Sequence, residues 1–157
     1  MNVSIAPAPV RKSVVVEAPV ERAFAAFSRI GEWWIRTHTL SASGQRDVIL
    51  EPRAGGRWYE IGKDGETCEW GKVVEWQPPR RMLLRWQIGA DWKSDPSIDT
   101  EVEIRFTPEG KSRTRVDLEH RKLEAYGAAA NDMAAQFGSD GGWQGLLAAY
   151  AGAAKTG

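Results

Sequence analysis

The stretch TEVEIRFTPEGKSRTRVDLEH, residues 100–120, decides the fold. Val102, Ile104 and Phe106 alternate with Glu101, Glu103 and Arg105. Beyond the turn at Pro108-Glu109-Gly110, Val116, Leu118 and His120 alternate with Asp117 and Glu119. A period of two on both sides of a turn predicts an antiparallel hairpin with one apolar and one charged face. Working outward, Met82, Leu84, Trp86 and Ile88 carry the same period. The turn marks Gly55-Gly56, Asp64-Gly65 and Pro78-Pro79 divide what lies before them. Strands are therefore predicted near 47–51, 57–61, 67–76, 81–88, 100–107 and 112–120, joined by connections short enough to force an antiparallel meander.

Upstream, Val10 to Glu17 alternates and reads as a further strand. Pro19 stands at a helix N1 position, and Val20, Ala23, Phe24, Phe27 and Ile30 fall on one helical stripe that Gly31 stops. Downstream, Ala128 to Phe137 reads as helix with Gly138 at its end. A second helix, capped by Ser139 or Asp140, aligns Trp143, Leu146, Leu147, Tyr150, Ala151 and Ala154. The fold class expected is α+β: a curved antiparallel sheet of about seven strands wrapped on a long C-terminal helix, with a short helix after strand one. A sheet with one apolar face must bury it, and the last helix carries the matching stripe. Room left between the two is a candidate pocket.

The chain has 157 residues, with 21 Lys+Arg against 21 Asp+Glu. That length predicts one domain, over 10–154, after a flexible lead-in at 1–9. Zero net charge, without a block of like charges, speaks against nucleic acid and anionic membrane surfaces as partners. No stretch reaches a membrane span, and residues 1–10 lack the marks of a signal peptide. One cysteine, Cys68, forms no internal disulfide and no zinc knuckle, which favours a reducing compartment, so a cytoplasmic location is expected. Two histidines remote in sequence do not make a metal site, and no cofactor motif is present. Eight Trp in so neutral a chain are the compositional oddity.

Several local motifs bear a family likeness. They are Ala18-Pro19-Val20-Glu21-Arg22-Ala23-Phe24 after the first strand, the Trp33-Trp34 pair, and Pro52-Arg53-Ala54-Gly55-Gly56-Arg57-Trp58. Further on stand Gly71-Lys72-Val73, Pro78-Pro79-Arg80-Arg81-Met82, the strand ending in Trp86, and Glu119-His120-Arg121 ahead of Gly141-Gly142-Trp143. In this order they resemble the SRPBCC, or START-like, superfamily, and within it the AHSA-type family typified by the C-terminal domain of the activator of the heat-shock chaperone ATPase. The resemblance implies the helix-grip fold over about 10–154, with a hydrophobic cavity under the C-terminal helix. Relatives bind lipids, sterols or hormones, act as polyketide cyclases or aromatases, or regulate a chaperone.

By alternation Trp86 faces inward with Leu84 and Ile88. Trp58, Trp86 and Trp143 are read as core, as pocket wall, or as both. Trp33 and Trp34 fall at the mouth of the grip. The direction of Trp70 is not fixed by its mixed surroundings, and Trp76 and Trp92 are read as partly exposed. His120 is either a general acid/base at the pocket edge or a hydrogen-bonded structural histidine. Arg85 and Arg105 are expected on the outer face, paired with Glu101, Glu103 and their neighbours.

The first reading of function is binding, without catalysis, of a small hydrophobic ligand: a lipid, an aromatic or a polyketide-like molecule. The wall expected for it is Trp33, Trp34, Trp58, Leu84, Trp86, Ile104, Phe106, Leu118, Trp143, Leu147 and Tyr150, with His120 or Tyr150 orienting the guest. The second is a cyclase, dehydratase or hydrolase using His120 in the same cavity. The third is an interaction module, as a homodimer or on a chaperone, through Trp76, Trp92 or the alanine-rich back of the last helix.

Overall fold

The computed structural model describes residues 7–156, so most of the lead-in expected at 1–9 lies outside the described residues. Seven strands form one antiparallel sheet: β1 (Val10–Val16), β2 (Gln45–Leu50), β3 (Arg57–Gly62), β4 (Thr67–Gln77), β5 (Arg81–Trp86), β6 (Thr100–Pro108) and β7 (Thr114–Arg121). Their spatial order is β1-β7-β6-β5-β4-β3-β2. The six-strand meander is present as expected, and β1 closes the far edge with Val14 opposite Val116 and Val10 opposite His120.

Helix α1 (Val20–Ser28) buries Val20, Ala23, Phe24 and Phe27. Pro19 is its N-cap and not its first turn, and the helix ends two residues early, with a 3-10 turn at Ile30–Glu32 carrying the rest of the stripe. The C-terminal helix arrives in pieces. Helix α2 (Ala130–Gly138) is followed by a wide turn at Asp140–Gln144, where Gly142 leaves helical geometry (φ −95°, ψ −134°), and then by α3 (Gly145–Thr156). Ser139 does not cap with its side chain; its hydroxyl donates to the Gln136 carbonyl at 2.7 Å. Of the expected stripe, Trp143, Leu146, Leu147, Tyr150 and Ala154 are all below 4% exposure, while Ala151 is only half-buried.

Two irregularities in β4 bend the sheet. Trp58 pairs with Gly71 while Tyr59 pairs with Glu69, which leaves Trp70 as an extra residue; Val74 is a second, between Val73 and Glu75. A bulge puts neighbouring residues on one face and raises the local twist. Trp70 and Gly71 are accordingly both buried.

The outer face is an ionic lattice. Glu103 accepts from Arg81 and, at 2.8 Å, from Arg121, while Arg121 also reaches Glu101 and Glu119 at 3.0 Å. Arg105 pairs with Glu103 as expected, and Arg85 with Asp99.

Candidate functional site

The inner face is divided by what packs on it. Over β6 and β7, α1 and α3 fill the sheet: Phe24 and Phe27 lie 5.0 and 5.9 Å from Phe106, and Phe27 lies 5.0 Å from Tyr150. The Tyr150 hydroxyl donates to the Ala23 carbonyl at 2.6 Å, tying α3 to α1. Burial holds that phenol well above its ordinary pKa. All four of these rings are at most 4% exposed.

Over β3–β5 the packing is looser, and a cleft of about 410 Å³ remains. Its floor and walls are Trp34, Trp70, Trp86 and Trp143, with Phe137 and Leu146 from the C-terminal helices. These indoles touch one another in tilted and edge-to-face pairs: Trp34 lies 4.9 Å from Trp70, tilted, while Trp143 meets Trp34 at 5.8 Å and Trp86 at 5.7 Å edge to face. Such contacts each add about 0.5–1.5 kcal/mol beyond their area, so the wall is preformed. Trp92 stands at the rim, 41% exposed and 6.3 Å from Phe137, in the left-handed region at φ 58°.

Of the residues expected at the site, Trp34, Trp86 and Trp143 therefore line the cleft. Trp33, Leu84, Ile104, Phe106, Leu118, Leu147 and Tyr150 are packed in the core outside it, and Trp58 lies one ring deeper than Trp70 and Trp86, 5.7 Å from each. Alternation gave no hold on Trp70, because the bulge breaks the period at that residue. Phe137 and Leu146 were visible as stripe residues without any sign of their exposure to the cleft. Trp76, read as partly exposed, is half-buried against Phe24 at 5.1 Å.

His120 is fully buried, and its neighbours fix its tautomer. The Trp143 indole N–H donates to Nδ1 at 3.1 Å, so Nε2 carries the proton and donates to Thr100 Oγ1 at 2.9 Å. That hydroxyl passes the chain on to the Trp86 carbonyl at 2.9 Å. Burial pushes the imidazole pKa down to about 3. Both nitrogens are engaged, and what they hold in place are the ring of Trp143 and the backbone of Trp86.

The opposite lip of the cleft is the segment 37–40. The buried carboxylate of Glu60 gathers it, accepting from Leu40 N at 2.8 Å, Ser41 N at 3.2 Å and the Thr39 hydroxyl. His38 crosses the mouth: its Nε2 donates to the Gly141 carbonyl at 2.6 Å, and its own carbonyl accepts from Trp34 Nε1 and Gln45 Nε2 at 3.1 and 2.9 Å. His38 carries no periodic or motif signal in the sequence, whereas Glu60 falls two residues after Trp58 on the inward side of β3, a position that alternation alone would have indicated.

A curled antiparallel sheet closed by a C-terminal helix, with an aromatic cleft beneath that helix, defines a helix-grip protein of the SRPBCC type. The chain belongs to the family of Activator of Hsp90 ATPase homolog 1-like proteins, whose model matches residues 17–152. Among solved structures it is similar to an anthrahydroquino-gamma-pyrone synthase, Txn09, in complex with a compound designated SUM. The identity is 39%, over 94% of this chain and 97% of that one, with a TM-score of 0.66. It is also similar to the self-sacrificing resistance protein CalC from Micromonospora echinospora, at 28% identity over 94% of each chain and a TM-score of 0.69. The Aha1 dimer from Colwellia psychrerythraea, 13% identical over 95% of this chain and 97% of that one with a TM-score of 0.61, shares the fold. No curated protein matches the chain. No helix among the described residues is long and apolar enough to cross a membrane.

Proposed function

We propose that the protein binds a flat, largely apolar polycyclic molecule in the cleft under its C-terminal helix, without making or breaking a bond. The observation that carries this is the wall itself: four indoles and a phenyl ring around about 410 Å³, a volume within the range of small-molecule sites. Rigid rings present flat area at little entropic cost, and a flat guest stacks on them where a flexible acyl chain would forfeit its rotamers. The likeness to a synthase named for an anthrahydroquino-gamma-pyrone supports the same class of guest.

That likeness also favours a second reading, a ring-forming enzyme. The imidazole facing the cleft is then His38, which lines it, and not His120, whose nitrogens are both engaged. Thermal melting with added ligand tests the first reading. Hydroxylated polycyclic aromatics should raise the melting temperature in proportion to the logarithm of their concentration, and fatty acids should not. No shift with any polycycle would remove the binding reading. A compound recovered from the protein with unchanged mass and absorption spectrum supports binding alone. A changed one, lost in His38→Ala, supports the enzyme.

A further inference from the structure

The lining of the cleft is sorted by depth. Its inner part is apolar: Trp34, Trp70, Trp86 and Trp143, with Ile88 and Leu146, are all at most 5% exposed. Its polar side chains stand at the mouth, where Thr37, Gln136 and Ser139 are exposed and His38 and Thr39 half-buried.

Indole is the one inner group that could break this order, since its N–H is a donor. None of the four N–H groups is available. Trp34 Nε1 donates to the His38 carbonyl and Trp143 Nε1 to His120 Nδ1, each at 3.1 Å. The Nε1 atoms of Trp70 and Trp86 are sealed inside the protein and have no accessible surface to offer. The carbonyls of the floor are spent as well: that of Trp70 accepts from Gln87 N at 2.7 Å, that of Trp86 from Thr100 and that of Ile88 from Tyr126. What is left to a guest in the depth is ring face, ring edge and aliphatic carbon.

At the mouth the balance is reversed. His38 and Thr39 are engaged, with the Gly141 carbonyl and with Glu60. Gln136 Nε2 has, among the described residues, only the Met133 sulfur at 3.8 Å, a weak acceptor, so the amide presents a donor and an acceptor side by side. Ser139 donates to the Gln136 carbonyl at 2.7 Å and keeps its oxygen lone pairs. An oxygen of the guest held here finds partners in the protein or in water. One carried to the floor loses its hydration with nothing to replace it.

Resting on the binding reading above, we infer that the guest is a fused-ring aromatic oxygenated along one edge. Its bare edge enters against the indoles, and its hydroxyl or carbonyl groups stay at the mouth between Thr37 and Gln136. The cleft thus selects for where the oxygens stand on the ring system, and not only for their presence.

Two dihydroxynaphthalenes of one formula isolate that property. The 2,3 isomer carries both hydroxyls at one end, whereas the 2,6 isomer carries them at opposite ends and drives one into the floor. Calorimetric titration of the wild-type protein should show the 2,3 isomer binding about tenfold more tightly. In its complex, the ring protons farthest from the hydroxyls should show nuclear Overhauser contacts to Trp70 and Trp86, and those beside the hydroxyls to Thr37 or Gln136. Equal binding of the two isomers, or tighter binding of the 2,6 isomer, overturns the inference and leaves the binding reading standing. So do contacts to Trp70 from the protons beside the hydroxyls. Binding of neither isomer overturns both.

Discussion

At the scale of the residue, His120 shows how burial turns a reactive group into a strut. Its imidazole is neutral because charging it inside the sheet would strip its hydration with no carboxylate to answer. The folded pKa is about 3 against 6.5 for the free side chain. Between those values the unfolded chain binds a proton that the folded chain refuses. The stabilisation is therefore complete above pH 6.5 and is lost as pH falls towards 3, with a slope of at most about 1.4 kcal/mol per pH unit. Glu103, held down to about 2 against the cost of its burial by Arg81, Arg121 and Arg105, adds acid sensitivity only below its ordinary 4.5. The window between about pH 5 and 6.5 thus reports His120. Urea unfolding across it should show wild-type stability rising with pH, and His120→Gln should flatten the rise. A slope that survives the substitution would place the titrating group elsewhere.

At the scale of the element, β4 and the 37–41 segment build the cleft, and they were the least legible parts of the chain. The β6–β7 hairpin alternates without interruption, so its register could be read from Val102 to His120. In β4 the extra residue at Trp70 cancels the alternation, and a period cannot announce its own interruption. Gly71 is the enabling residue: it stands between Trp58 and Trp86 across the strands, and a Cβ there would meet the Arg85 carbonyl oxygen at 1.7 Å. Gly71→Ala should therefore cost about 3 kcal/mol by forcing β4 from β5, read as a lower urea midpoint. A midpoint within error of wild type would show that the strands yield freely. Glu60 acts on the other lip. Glu60→Gln keeps the shape and loses the charge that its three donors share, at about 1.5–3 kcal/mol. The amides of Leu40 and Ser41 should then exchange with solvent faster. Unchanged protection would mean that something else holds the lip.

At the scale of the whole molecule, alternation told which face of each strand looks inward but not what would cover it. Ile104, Phe106 and Leu118 do face inward, yet α1 lies across that half of the sheet, and Phe24 and Phe27 occupy the space a guest would need. The cleft consequently lies over β3–β5, towards Trp70 and Trp86, and its rim belongs to Trp92. The molecule thus has a solid half that carries stability and an open half that carries recognition, and substitutions should separate the two. Phe106→Ala removes a ring 2% exposed and should cost about 3–5 kcal/mol, while affinity for a polycyclic ligand stays within about twofold as long as the protein is folded. Trp92→Ala removes a ring 41% exposed at the cleft rim and should change stability by no more than about 0.5 kcal/mol, yet weaken that affinity about tenfold. Urea unfolding and calorimetric titration of the two variants side by side test the division. If Phe106→Ala impairs binding as much as Trp92→Ala does, the guest reaches over β6 and the halves are one site.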